Sequence, residues 1–127
     1  MRKSDVQVNT ALFQWLNEQT DLTSHQVDLV DGFVFMLRKI NKHKKIRLIS
    51  ERAPHPRFWR SHNRAFGYER QIMKEATEQL YRFYIDVAFA ESFIKQEQNQ
   101  LMITEAGLQY LTASKEAQLE LLFHYIW

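Results

Sequence analysis

Cysteine is missing from all 127 residues of the chain. Its absence excludes disulfides, thiolate catalysis and cysteine-ligated zinc or iron–sulfur sites. Glycine and proline are scarce, with three and two copies, which disfavours an all-β fold rich in tight turns. No apolar run approaches the ~20 residues that a membrane-crossing helix requires. The opening stretch MRKSDVQVNT is basic but has no apolar segment behind it, so no secretory signal is expected. The G-x-S-x-G, phosphate-loop and H-E-x-x-H motifs are all lacking. These absences set the first expectation: a cytoplasmic, non-enzymatic protein without cofactor or membrane partner.

Metal ligands are equally sparse. His55 and His62 stand seven apart, with no Asp or Glu at i+3 or i+4 from either. Zinc takes three or four ligands in closed geometry, so no metal is expected. His25 falls in a helix-cap region, His43 in a loop and His124 in the last helix, none beside a carboxylate and a nucleophile. Asp28 with Asp31, and Glu75 with Glu78, share helix faces at the spacing of solvated charges.

Apolar residues are plentiful. The hydrophobic fraction is 45%, with three Trp, five Tyr and nine Phe. A chain of this length is expected to form one domain, burying roughly two-thirds of its unfolded surface.

Charge is unevenly distributed. The stretch Arg38 to Arg70 holds eleven basic residues and only Glu51 and Glu69, a net +9. The whole chain carries +2, so the remainder carries −7. Phe58, Trp59, Phe66 and Tyr68 lie between the arginines. That combination suggests an anionic partner. Arg38, Lys39 and Lys42 have a simpler explanation, as cations at a helix C-terminus.

The elements follow from periodicity. Val8, Leu12, Trp15 and Leu16 mark an amphipathic helix over about 4–19. Thr23 and Gln26 resemble a capping box for a second helix, to about Asn41, burying Val27, Val30, Phe33, Val34, Leu37 and Ile40. Lys45 to Ser50 reads as a short strand. Pro56 is placed to open a helix through Phe66, with Gly67 as its stop. On it Phe58, Trp59, His62 and Phe66 share one side, and Arg57, Arg60 and Arg64 another. Ile72, Ala76, Leu80, Phe83 and Val87 predict a long helix over about 69–90. Ser92–Glu97 and Leu101–Thr104 flank a turn at Gln98-Asn99-Gln100 and predict a β-hairpin. Thr104 and Ser114 are expected to cap two further helices. Leu48–Ala53 weakly echoes Met102–Gly107, as if both were strand-to-helix exits, although ordinary capped strand ends explain both. The apolar run ending at Trp127 leaves three readings: docking into the core, contact with a partner, or continuation into a longer protein.

The helix through Leu80, Phe83 and Val87, then FIKQE, then LMITEAGLQYL resembles the second half of a winged-helix domain. The "strand, Thr, x, x, Gly, helix" exit carries much of that likeness. The following SKEAQLELLFHYIW is similar to the extra helix after wings in several bacterial modules. The resemblance implies a mostly α fold with a small β-hairpin or sheet, winged-helix-like in its second half (44–127) and preceded by two N-terminal helices (1–41). It implies double-helical DNA as partner, with a helix in the major groove and the wing near phosphates. The sequence departs from that pattern at the pre-wing helix. Lys74 and Arg82 there meet Glu75, Glu78, Asp86 and Glu91, a net −2. Phosphate binding requires positive charge.

The candidate DNA or RNA contacts are therefore Lys44, Lys45, Arg57, Arg60 and Arg64 on phosphates, with Trp59 or Tyr68 stacking on bases. The alternative is a protein-interaction or dimerisation module. Its interface would use the N-terminal helices and the apolar C-terminus, and its acidic pre-wing helix would face a basic partner.

Overall fold

A computed structural model of the chain describes residues 22–50, 52–66 and 74–126. The expected helix over 4–19, Gly67 as a helix stop, and Tyr68 and Trp127 lie outside them. The described fold is mostly helical, with a small antiparallel sheet.

Helix α1 spans Leu22–His43. It is already formed at Leu22, so Thr23 lies within it rather than capping it, and it runs two residues past Asn41. Leu29, Val30, Phe33, Val34, Leu37 and Ile40 recur every three or four residues, and all are buried. Each such side chain contributes roughly 1.5–3 kcal/mol of burial. Phe33 is central, with ring centroids 5.8 Å from Tyr84, 6.3 Å from Phe93 and 5.5 Å from Tyr110.

Lys44, at φ 68°, turns the chain into strand β1, Ile46–Ser50. Arg52, at φ 57°, returns it as the short edge strand β2, Ala53–Pro54. An edge position suits Pro54, which has no N–H to donate. The hairpin pairs Ser50 with Ala53. Ser50 therefore exits into a strand and caps no helix, and the echo with Met102–Gly107 fails in three dimensions. A 3₁₀ turn over Pro56–Trp59 leads into helix α2, Arg60–Phe66. The single helix expected from Pro56 to Phe66 thus begins as a tighter turn.

Helix α3, Lys74–Ala90, buries Leu80, Phe83, Tyr84, Val87 and Ala88. The Tyr84 hydroxyl donates to the Leu29 carbonyl at 2.7 Å, fixing α3 to α1 inside the core. Strands β3, Ile94–Glu97, and β4, Gln100–Ile103, form the expected hairpin. β1 pairs with β4, giving the order β2-β1-β4-β3.

Helix α4, Glu105–Thr112, begins at Thr104, whose hydroxyl accepts from the Gly107 N–H at 3.1 Å and donates to the Ser92 carbonyl at 2.5 Å. A Cβ on Gly107 would lie 2.3 Å from the Phe93 carbonyl oxygen. The Thr-x-x-Gly spacing therefore has a local cause: Thr104 caps the helix, and Gly107 lets the helix meet the backbone before β3. Helix α5, Lys115–Ile126, follows the Ser114 cap, whose hydroxyl accepts from the Ala117 N–H at 3.1 Å. Tyr110 and Gln118 bond reciprocally at 2.8 and 3.0 Å, joining α4 to α5.

Candidate nucleic-acid interface

The 3₁₀ turn and α2 pack against α1 through a cluster the sequence does not announce. His62 is fully buried. Its Nε2 lies 2.9 Å from the Gly32 carbonyl, and its Nδ1 lies 2.9 Å from Lys39 Nζ. A carbonyl only accepts, so Nε2 carries the proton and Nδ1 accepts from Lys39. Lys39 also donates to the Phe58 carbonyl and, at 2.8 Å, to Ser61 Oγ. The three ammonium protons therefore meet three acceptors, and Nζ stands 4.0 Å from the Phe58 ring centroid.

Burial drives the titration of both groups. It pushes the Lys39 ammonium down to about 8. It also pushes His62 down to about 3, helped by the Lys39 charge and opposed by the Gly32 bond. His62 is thus a neutral acceptor at physiological pH, and Lys39 clamps the base of the turn.

Above this clamp lies an open groove of about 550 Å³. Lys39, Lys45, Arg47, Arg57, Arg60 and Arg64 line it, and among the described residues no Asp or Glu does. His43 and His55 complete its polar rim. Each arginine has a local reason for its position. Arg57 follows His55, whose Nδ1 accepts from the Arg57 N–H at 3.1 Å and caps the turn. Arg60 and Arg64 are one helical turn apart on α2. Lys45 and Arg47 lie two apart at the start of β1, and Arg47 pairs with Gln100 beside the hairpin turn.

The structure gathers Lys45, Arg57, Arg60 and Arg64 of the sequence candidates and leaves out others. Lys44 is exposed at the α1–β1 junction, away from the groove lining. Trp59 stacks on Tyr81, with centroids 4.2 Å apart and planes at 2°. That face is occupied, and Trp59 lines a cavity on the other side of the turn. Tyr68 lies outside the described residues.

Lys39, Arg47, His43 and His55 are groove residues that the sequence pattern did not assign to a nucleic-acid surface. A signal existed for Lys39, since Gly32, Phe35 and Lys39 follow a helical i, i+3, i+7 stripe. The histidines do not converge as ligands: His55 is exposed, while both nitrogens of His62 are engaged. No cluster of three or more His, Asp or Glu capable of holding a metal occurs among the described residues. No described helix is long and apolar enough to cross a membrane.

Helix α3 presents a different surface. Between Glu78 and Ala90 only Glu78 and Arg82 are exposed. Asp86 stands 3.8 Å from both Arg52 and Arg82, and Glu91 accepts from the Tyr125 hydroxyl. Asp86 and Glu91 are therefore engaged within the fold. Set against protein-family models, curated proteins and solved structures, the chain finds no match.

Proposed function

We propose that this chain is a non-enzymatic, winged-helix-like module that binds nucleic acid in the groove between α1, β1 and the Pro56–Phe66 segment. The observation that carries this reading is the groove itself, six cationic side chains with no lining carboxylate among the described residues. Phosphate oxygens are the natural complement of such a surface, and arginine can hold them bidentately. The winged-helix part of the reading is supported by the element order helix, strand, helix, helix, hairpin, and by the pairing of β1 with β4.

The route of contact departs from the family pattern. Helix α3 turns most of its described residues inward and offers only Glu78 and Arg82 between Glu78 and Ala90. Base stacking is not assigned to Trp59, whose ring is already stacked. Phosphate contact by the groove is the mode that remains. The hydrogen-bonded Lys39 acts as a positioning residue beneath it, its three protons already committed.

Binding to mixed-sequence duplex and single strands across salt concentrations tests the proposal. If Lys45, Arg47, Arg57, Arg60 and Arg64 each neutralise one phosphate, these five contacts give a log–log slope of about −4.5 on duplex DNA. Absence of binding to DNA and RNA at low salt refutes the reading.

A further inference from the structure

On the opposite side of the Phe58–Trp59 turn lies a second cavity, of about 580 Å³. It shares no lining residue with the cationic groove. The volume falls within the range of small-molecule sites, roughly 300–1,000 Å³. One wall is apolar and aromatic: Trp59 stacked on Tyr81, with Ile85 and Pro54 beside them. The other carries both signs of charge, Arg52 and Arg82 with Glu78 and Asp86.

Those charges are incompletely matched to one another. Each guanidinium stands 3.8 Å from an Asp86 oxygen, at the outer limit of an ion pair. That is beyond the ~3.2 Å of a good N–H···O bond. The Asp86 side chain is only 17% exposed, so water satisfies it poorly. A simple anion entering the cavity would meet Asp86 and Glu78, and a simple cation would meet Arg52 and Arg82. A ligand carrying both charged groups on one carbon avoids both repulsions. Its ammonium would reach the carboxylates, its carboxylate the guanidiniums, and an apolar side chain would cover the Trp59–Tyr81 wall.

We propose that this cavity binds a small zwitterion with an apolar or aromatic side chain, the chemistry of a free α-amino acid. The test uses the full chain and calorimetry with L-leucine, L-phenylalanine and L-tryptophan. At least one should bind. For phenylalanine, 3-phenylpropionate and 2-phenylethylamine supply the same ring with one charge each, and the corresponding deaminated and decarboxylated analogues serve for the other two. Each single-charge analogue should bind at least tenfold more weakly than the parent amino acid. The exposed Arg82→Gln variant should fold normally and lose at least tenfold in affinity, and Asp86→Asn should do the same. Arg57→Ala, on the groove side, should bind the amino acid unchanged. No heat with any of the three amino acids to their solubility limit overturns the proposal. Equal binding of the single-charge analogues overturns it as well.

Discussion

The two sides of the Phe58–Trp59 turn share neighbouring residues and differ in charge. Among the described residues, the groove side gathers six cations without a carboxylate, whereas the cavity side places two arginines against two acids. The groove is more open and its charges are mostly exposed. The cavity has an aromatic wall and a carboxylate that is only 17% exposed. The first arrangement suits a long, multiply charged ligand that keeps its water nearby. The second suits a small ligand that brings both charges with it. One 3₁₀ turn can serve both because Phe58 lines the groove and Trp59 the cavity, their rings meeting edge to face with centroids 4.9 Å apart. Phe58 faces Lys39 and the groove, while Trp59 stacks on Tyr81.

The largest expected effect separates the two sides directly. Replacing Arg57, Arg60 and Arg64 together by Ala should weaken nucleic-acid binding by at least about a hundredfold, roughly 3 kcal/mol. It should flatten the salt slope by about 2.7 and leave amino-acid binding unchanged. Filter binding and calorimetry on the same preparation measure both. A triple variant that folds and binds nucleic acid as before would move the phosphate site off this groove.

A smaller effect should strike the part that both sides share. Lys39→Met removes the ammonium that holds Phe58, Ser61 and His62 together. The orphaned acceptors should reduce stability by about 2 kcal/mol, despite the apolar replacement. Urea unfolding reads the loss. Unchanged stability would mean that the clamp is dispensable and that the turn is held by aromatic packing alone.

The smallest effect is a pH dependence centred on His62. Its folded value of about 3 lies below the ordinary 6.5. The unfolded chain therefore binds more protons between those limits, and stability falls as pH drops through the window. From pH 6.5 to pH 5 the loss should be on the order of 1–2 kcal/mol, by linkage over the buried imidazole. His62→Gln should flatten that part of the urea-midpoint profile. Lys39 acts at the other end, where stability should rise as pH climbs from about 8 towards 10.5. A flat wild-type profile from pH 6.5 to 5 would show that His62 is not the neutral, buried acceptor described.

Much of this was legible in the chain itself. Helix α1 follows from its apolar stripe, the β3–β4 hairpin from two short apolar runs around Gln98–Asn99, and the start of α4 from Thr104. These are local matters of period, capping and turn chemistry, settled within a few residues. The separation of Arg57, Arg60 and Arg64 from Phe58, Trp59 and His62 was also readable, because a helical repeat sorts side chains by face. What period cannot state is which neighbour each face meets. Only the packing of Pro56–Phe66 on α1 converted Lys39 from a helix-end cation into a half-buried clamp. Packing against Tyr81 likewise took the stacked face of Trp59 away from nucleic acid. The pairing of β1 with β4, across some fifty residues of sequence, brought Arg47 beside the hairpin and completed the groove. A local hairpin undid the helix exit after Ser50, where a positive φ at Arg52 folds the strand back on itself. The sequence by itself determined that positive charge and aromatics would alternate here. Tertiary structure decided which neighbours each of them meets, because burial and charge pairing depend on residues far apart in the chain.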